Sequence, residues 1–230
     1  MREVSIQQLW NRAWDLFKVN WLLLLGLVVP SIIVSLISFT GALIVGILLF
    51  PVLVRAGYLV ARQGQSSFGE AFRDLSSLLK IFVYELILEL ISGILIKYMP
   101  VLGSTIARLS EASMEGGYGG MRGSMVFSWT EVILLWVGYI LIFILNLFGW
   151  AGPYAILSGR AGIFRAIGQS FSLTAQNFGK VFVAFLLFIG LAILGLLLCG
   201  VGLLVVIPMS YVFWPLLYLA LTGEEGASHS

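Results

Sequence analysis

The chain has 230 residues, 60% of them hydrophobic and 10% charged, with a net charge of +2 and a mean hydropathy of +1.05. A soluble domain carries about 25% charged residues, so the apolar surplus here needs lipid to cover it. The near-neutral balance leaves a nucleic-acid role without an electrostatic footprint, and a lone Cys199 and a lone His229 leave no material for an internal disulfide, a cysteine zinc site or a histidine-built metal or haem centre.

Residues 4–18 have helical periodicity, with Ile6, Leu9, Trp10, Ala13 and Phe17 on one face and Gln7, Gln8, Asn11, Arg12, Asp15 and Lys18 mostly on the other. Such a helix suits the headgroup layer. The first twenty residues hold no apolar core of the signal-peptide kind, so the run from Trp21 is expected to stay as an uncleaved anchor. Spans are predicted at 21–39 and 42–60, joined by Thr40 and Gly41. Ser67 and Glu70 have capping-box spacing and start a short helix expected to run through Leu79, with Phe68, Phe72, Leu75 and Leu79 on one face.

The third span, 81–98, is interrupted by Glu85 and Glu89. Residues 99–128 are expected to lie outside the membrane, with the glycine-rich run GGYGGMRG at 116–123 as a surface loop. That run lacks the strand, the Lys-Ser/Thr ending and the helix that make a phosphate cradle. A fourth span, 132–157, should bend near Gly149, Gly152 and Pro153. An amphipathic helix over 163–176 presents Ile163, Ile167 and Phe171, and spans follow at 179–198 and 201–221, their hairpin tightened by Gly200 and Gly202. Residues 223–230 read as a disordered tail.

Asn20 and Asn177 are 157 residues apart, and so are Pro51 and Pro208. Around each pair the chain repeats an amphipathic helix, a junction Asn and two apolar runs. The fold class predicted is therefore an all-α polytopic membrane protein of six spans in a single membrane domain, 1–222. Like-directed repeat units at 4–62 and 163–221 flank a central pair, 67–157. The two Asn side chains are expected to turn the backbone where a headgroup-layer helix meets a span. Ten Lys and Arg fall on the side of the termini and three on the other, which places both termini in the cytoplasm of a bacterial inner membrane.

Chemistry concentrates on few residues. Glu85 and Glu89 sit four apart on one face of the third span, where a charge costs on the order of 3 kcal/mol. With Lys97 two turns on, they are the candidates for a proton or cation site; the alternatives are a helix only partly inserted, or a structural ion pair with Arg55. Arg55 and Arg62, two turns apart, are candidates for a lipid phosphate or an ion pair, with Arg62 snorkelling to the surface. No nucleophile, base and orienter can be assembled without a membrane His, so no enzyme activity, metal or cofactor is expected.

The segments PVLVRAGYLVARQGQSSFGEAFRDL (51–75) and AIGQSFSLTAQNFGKVFVAFLLF (166–188) resemble those of uncharacterised bacterial multi-span proteins of the Yip1-like and glycerophosphodiester-phosphodiesterase membrane-domain-like families. The likeness covers roughly 5–80 and 160–220 and implies a helical integral membrane protein with no catalytic residue to carry over. Two functions follow: an accessory or scaffolding subunit binding lipid, partner membrane proteins or further copies of itself; or a small proton- or cation-coupled transporter or channel using Glu85 and Glu89.

Overall fold

The structure is a computed structural model and describes residues 5–37, 39–114, 129–198 and 200–224. Among them lie nine helices and no strand. The chain divides into two compact units, 1–86 with 147–230, and 87–146.

In the first unit, α1 (Ile6–Ile37) is one uninterrupted helix of 32 residues, about 48 Å long. The corner expected at Asn20 is absent. Leu9, Ala13, Phe17, Asn20, Leu24 and Leu27 are all buried, spaced three and four apart, so a single inward stripe runs through the Asn without a change of phase. A helix with a continuous buried stripe has no reason to turn out into the headgroup layer. α2 (Phe39–Gln63) ends at Gly64, whose φ of 85° closes the helix.

α1, α2 and α9 (Leu203–Thr222) pack on one another. Helix association in lipid depends on close packing rather than on hiding apolar surface from water. Gly57 of α2 supplies that closeness, since a Cβ there would run into the carbonyl oxygen of Tyr211 in α9. Leu24, Val54, Val60, Val212, Phe213 and Leu216 of these three helices are buried. α8 (Phe178–Leu197) folds back on α9 through a hairpin in which Gly200 has φ 79° and Gly202 meets Gly195 backbone to backbone, as the glycine spacing predicts.

α3 (Phe68–Phe72) carries both halves of the predicted capping box, but it stops at Phe72 rather than Leu79. Arg73 caps its end, and Asp74 accepts a hydrogen bond from the Ser77 N–H at 3.2 Å at the start of α4 (Leu75–Met114). α4 has 40 residues, about 60 Å, or twice the hydrocarbon thickness. Residues 99–114, part of the stretch expected outside the membrane, continue α4; 115–128, including the glycine-rich run, lie outside the described residues.

In the second unit, the later part of α4 meets α5 (Trp129–Gly149) where Gly138 lies against Met99 and Leu95. Ser104 and Thr105 both donate to the Val101 carbonyl, so these hydroxyls are satisfied within their own helix.

Candidate functional site

The sequence Gly149-Trp-Ala-Gly-Pro153 breaks a long apolar helix, because Pro153 cannot continue the hydrogen-bond ladder. α5 ends at Gly149 and α6 (Gly152–Leu157) starts afresh, as the glycines and proline predict. A break at this depth exposes backbone groups that lipid cannot satisfy. The Ser170 hydroxyl of α7 (Ile163–Gln176) donates to the Phe148 carbonyl at 2.6 Å and accepts from the Ala151 N–H at 3.0 Å. Tyr84 donates to the Gly149 carbonyl at 2.6 Å, and its ring lies where a side chain on Gly152 would stand. The Trp150 indole N–H donates to Thr174 at 3.0 Å.

This stitching decides which side of α7 turns inward. Ala166, Ser170 and Thr174 are buried, whereas Phe164 is 82% exposed and Phe171 is exposed. The small, polar stripe faces protein, and the aromatic residues face out.

Beside the stitch lies a cavity of about 200 Å³, lined at depth by Ala151 and Ala155 and toward the surface by Arg160, Gln169, Gln176 and Thr222. Arg160 follows the end of α6, where Gly159 has φ 74°. Its Nε meets Glu224 Oε1 at 3.0 Å, just beyond the Gly223 cap of α9. The tail expected to be disordered from residue 223 thus begins with an anchored carboxylate; 225–230 lie outside the described residues. Ser158 and Tyr218 share a hydrogen bond at 3.3 Å, and the rings of Tyr58, Tyr154 and Tyr218 follow one another at 6.5 and 5.9 Å.

Arg55 and Arg62, singled out from sequence, each have a different partner. Arg55, 13% exposed at its side chain, pairs with Asp74 at 3.0 Å and donates from Nε to the Glu70 carbonyl at 3.2 Å. The Ser77 hydrogen bonds and the Arg55 guanidinium hold the Asp74 carboxyl down at about 2. Arg62 is exposed and reaches the Tyr58 hydroxyl at 3.5 Å. Glu85 is half-buried in the first unit; Glu89 and Lys97 are exposed in the second, Lys97 with its Nζ 5.7 Å from the Tyr98 ring. Among the described residues no three His, Cys, Asp or Glu side chains group as a metal site.

Asn20 holds the backbone after α2 rather than a corner. Its amide donates to the Leu16 and Gly64 carbonyls, both at 2.9 Å, and its oxygen accepts from the Ser66 N–H at 3.3 Å. Asn177 does stand at a corner, capping α7 with φ −123° and donating to the Leu173 carbonyl at 3.1 Å.

Sequence reasoning missed Tyr84, Asp74, Ser170, Thr174, Arg160 and Glu224. Two signals were present. Ala166, Ser170 and Thr174 form a small stripe four residues apart, and a break at 149–153 needs partners. Nothing local marked Glu224.

Four helical segments, 6–30, 132–157, 178–197 and 203–222, are long and apolar enough to cross a membrane, which defines a helical membrane protein. No family model, curated protein or solved structure matches the chain.

Proposed function

We propose that the chain is a non-enzymatic accessory or scaffolding subunit of a bacterial inner membrane, with six spans and both termini cytoplasmic, binding lipid and partner membrane proteins. The observation that carries this reading is the use made of polar groups. Among the described residues the buried polar side chains are Asn20, Ser92, Ser170 and Thr174. Asn20, Ser170 and Thr174 hydrogen-bond backbone or a Trp and close gaps in the helices. A transported ion needs polar groups that exchange partners along a path, whereas these are committed to fixed ones.

Large apolar faces add support. Leu186, Ile189 and Ile193 of α8, and Trp136, Ile140 and Ile144 of α5, are exposed over the length of a span, where lipid tails or a partner helix would cover them. The duplication is part of the same reading. α2 and α9, the helices carrying Pro51 and Pro208, pack together, and Asn20 and Asn177 make the same bond to the carbonyl four residues back. The continuous α1, set against the α7–α8 corner, marks where two such units have diverged. The test is purification in mild detergent followed by mass spectrometry: retained phospholipid together with a co-purifying membrane protein or a second copy is expected, and a bare monomer carrying neither contradicts the proposal.

A further inference from the structure

We propose that the cavity between α6, α7 and α9 holds the phosphodiester of a membrane phospholipid headgroup; this rests on the lipid-binding reading and names its ligand. The lining offers one cation, Arg160, and neutral donors from Gln169, Ser172 and Gln176, with the Thr222 hydroxyl committed to the Tyr218 and Leu219 carbonyls and no carboxylate on the wall. A donor-rich wall around a single guanidinium calls for an anion with several acceptor oxygens. Glu224 Oε1 stands 3.0 Å from the Arg160 Nε, an ion pair that holds the guanidinium beside the cavity. Arg160 is 52% exposed at its side chain, so a ligand reaches it.

The charge balance selects among phosphates. Arg160 supplies one positive charge, and Glu224, 3.0 Å away, offsets it. A phosphodiester carries one negative charge; a phosphomonoester carries about 1.5 to 2 near neutrality and meets stronger repulsion from Glu224. The space, about 200 Å³, equals that of roughly six or seven waters and admits a phosphate with a few attached carbons. Placement agrees as well. α7 is amphipathic and turns Phe164 and Phe171 outward, the posture of a helix at the lipid boundary, and the proposal puts the cavity beside it at headgroup level.

The experiment uses the full chain in detergent, observed by native mass spectrometry with phosphatidylglycerol, phosphatidylethanolamine and phosphatidic acid. One phosphodiester lipid should be retained in preference to phosphatidic acid, and Arg160→Gln should weaken retention about tenfold. Arg160→Lys, which keeps the charge, should weaken it less, and a thermal melt of each variant separates lost binding from lost folding. Equal retention by folded Arg160→Gln, or preference for phosphatidic acid, overturns the proposal while leaving general lipid binding standing. Displacement of the lipid by glycerophosphoglycerol or inorganic phosphate overturns it in favour of a soluble ligand. A wild-type chain that retains no phospholipid overturns this inference and the lipid-binding reading together.

Discussion

The Tyr84 hydroxyl donates a 2.6 Å hydrogen bond to the carbonyl of Gly149, 65 residues away, at the point where a membrane-length helix breaks. The same ring covers Gly152, so one side chain both satisfies the freed carbonyl and fills the gap that the glycine leaves. Tyr84→Phe keeps the ring and removes the donor. It should lower stability by about 1 kcal/mol, since a hydrogen bond within a membrane bundle contributes on that scale. Gly152→Ala drives a methyl into the Tyr84 ring and should cost more. Thermal unfolding in detergent ranks the two; a larger loss for Tyr84→Phe would contradict the packing account.

Gly57 sets the distance between α2 and α9. Its substitution by Ala drives a Cβ toward the Tyr211 carbonyl, which is backbone and cannot swing aside. A loss of about 3 kcal/mol or failure to accumulate is expected. Gly190 in α8 meets no atom within 4 Å, and Gly190→Ala should be neutral or slightly stabilising, because Ala is the better helix former.

How far these sites could be read from sequence depends on where their partners lie. The apolar segments 132–157, 178–197 and 203–222 lie within a few residues of expected spans, because hydrophobic length is a local property, whereas the span expected at 21–39 meets a candidate segment at 6–30. The break at 149–153 and the capping box at Ser67 and Glu70 were legible for the same reason. Asn20 was misread because its partners, Gly64 and Ser66, lie more than forty residues on; locally, a polar residue between an amphipathic and an apolar stretch looks like a corner. Ser170 and Thr174 carry no local signal as strong as the apolar face of α7, although small polar residues are the ones that let helices meet and hydrogen-bond in lipid. Arg160 and Glu224 are paired only by folding.

Asn20→Ala removes the bond to Gly64 and the acceptor for Ser66 and leaves those backbone groups without it. It should cost about 1–3 kcal/mol and speed proteolysis in 62–67. Asn177→Ala removes a bond within its own turn and should cost less. Melting temperatures and limited proteolysis of the two variants check the order.

Asp74 gives the fold an acid limit. Its folded-state pKa is about 2, below the ordinary 3.8, because the Ser77 bonds and Arg55 favour the carboxylate. A depressed carboxyl stabilises the fold fully above the unfolded value, and that contribution drains as pH falls from about 4 to about 2. The group is 45% exposed at its side chain, so solvent screens the effect. Melting curves against pH should show a steeper loss in this window for the wild type than for Asp74→Asn; identical slopes would contradict the pairing.

The choice between a binding subunit and a transporter turns on ion flux. Wild-type protein and the Glu85→Gln/Glu89→Gln variant, each reconstituted in liposomes with a pH-sensitive dye inside, should both show the proton and cation leak of empty vesicles. A wild-type flux well above that background, abolished in the variant, would contradict the account and assign the two glutamates to transport.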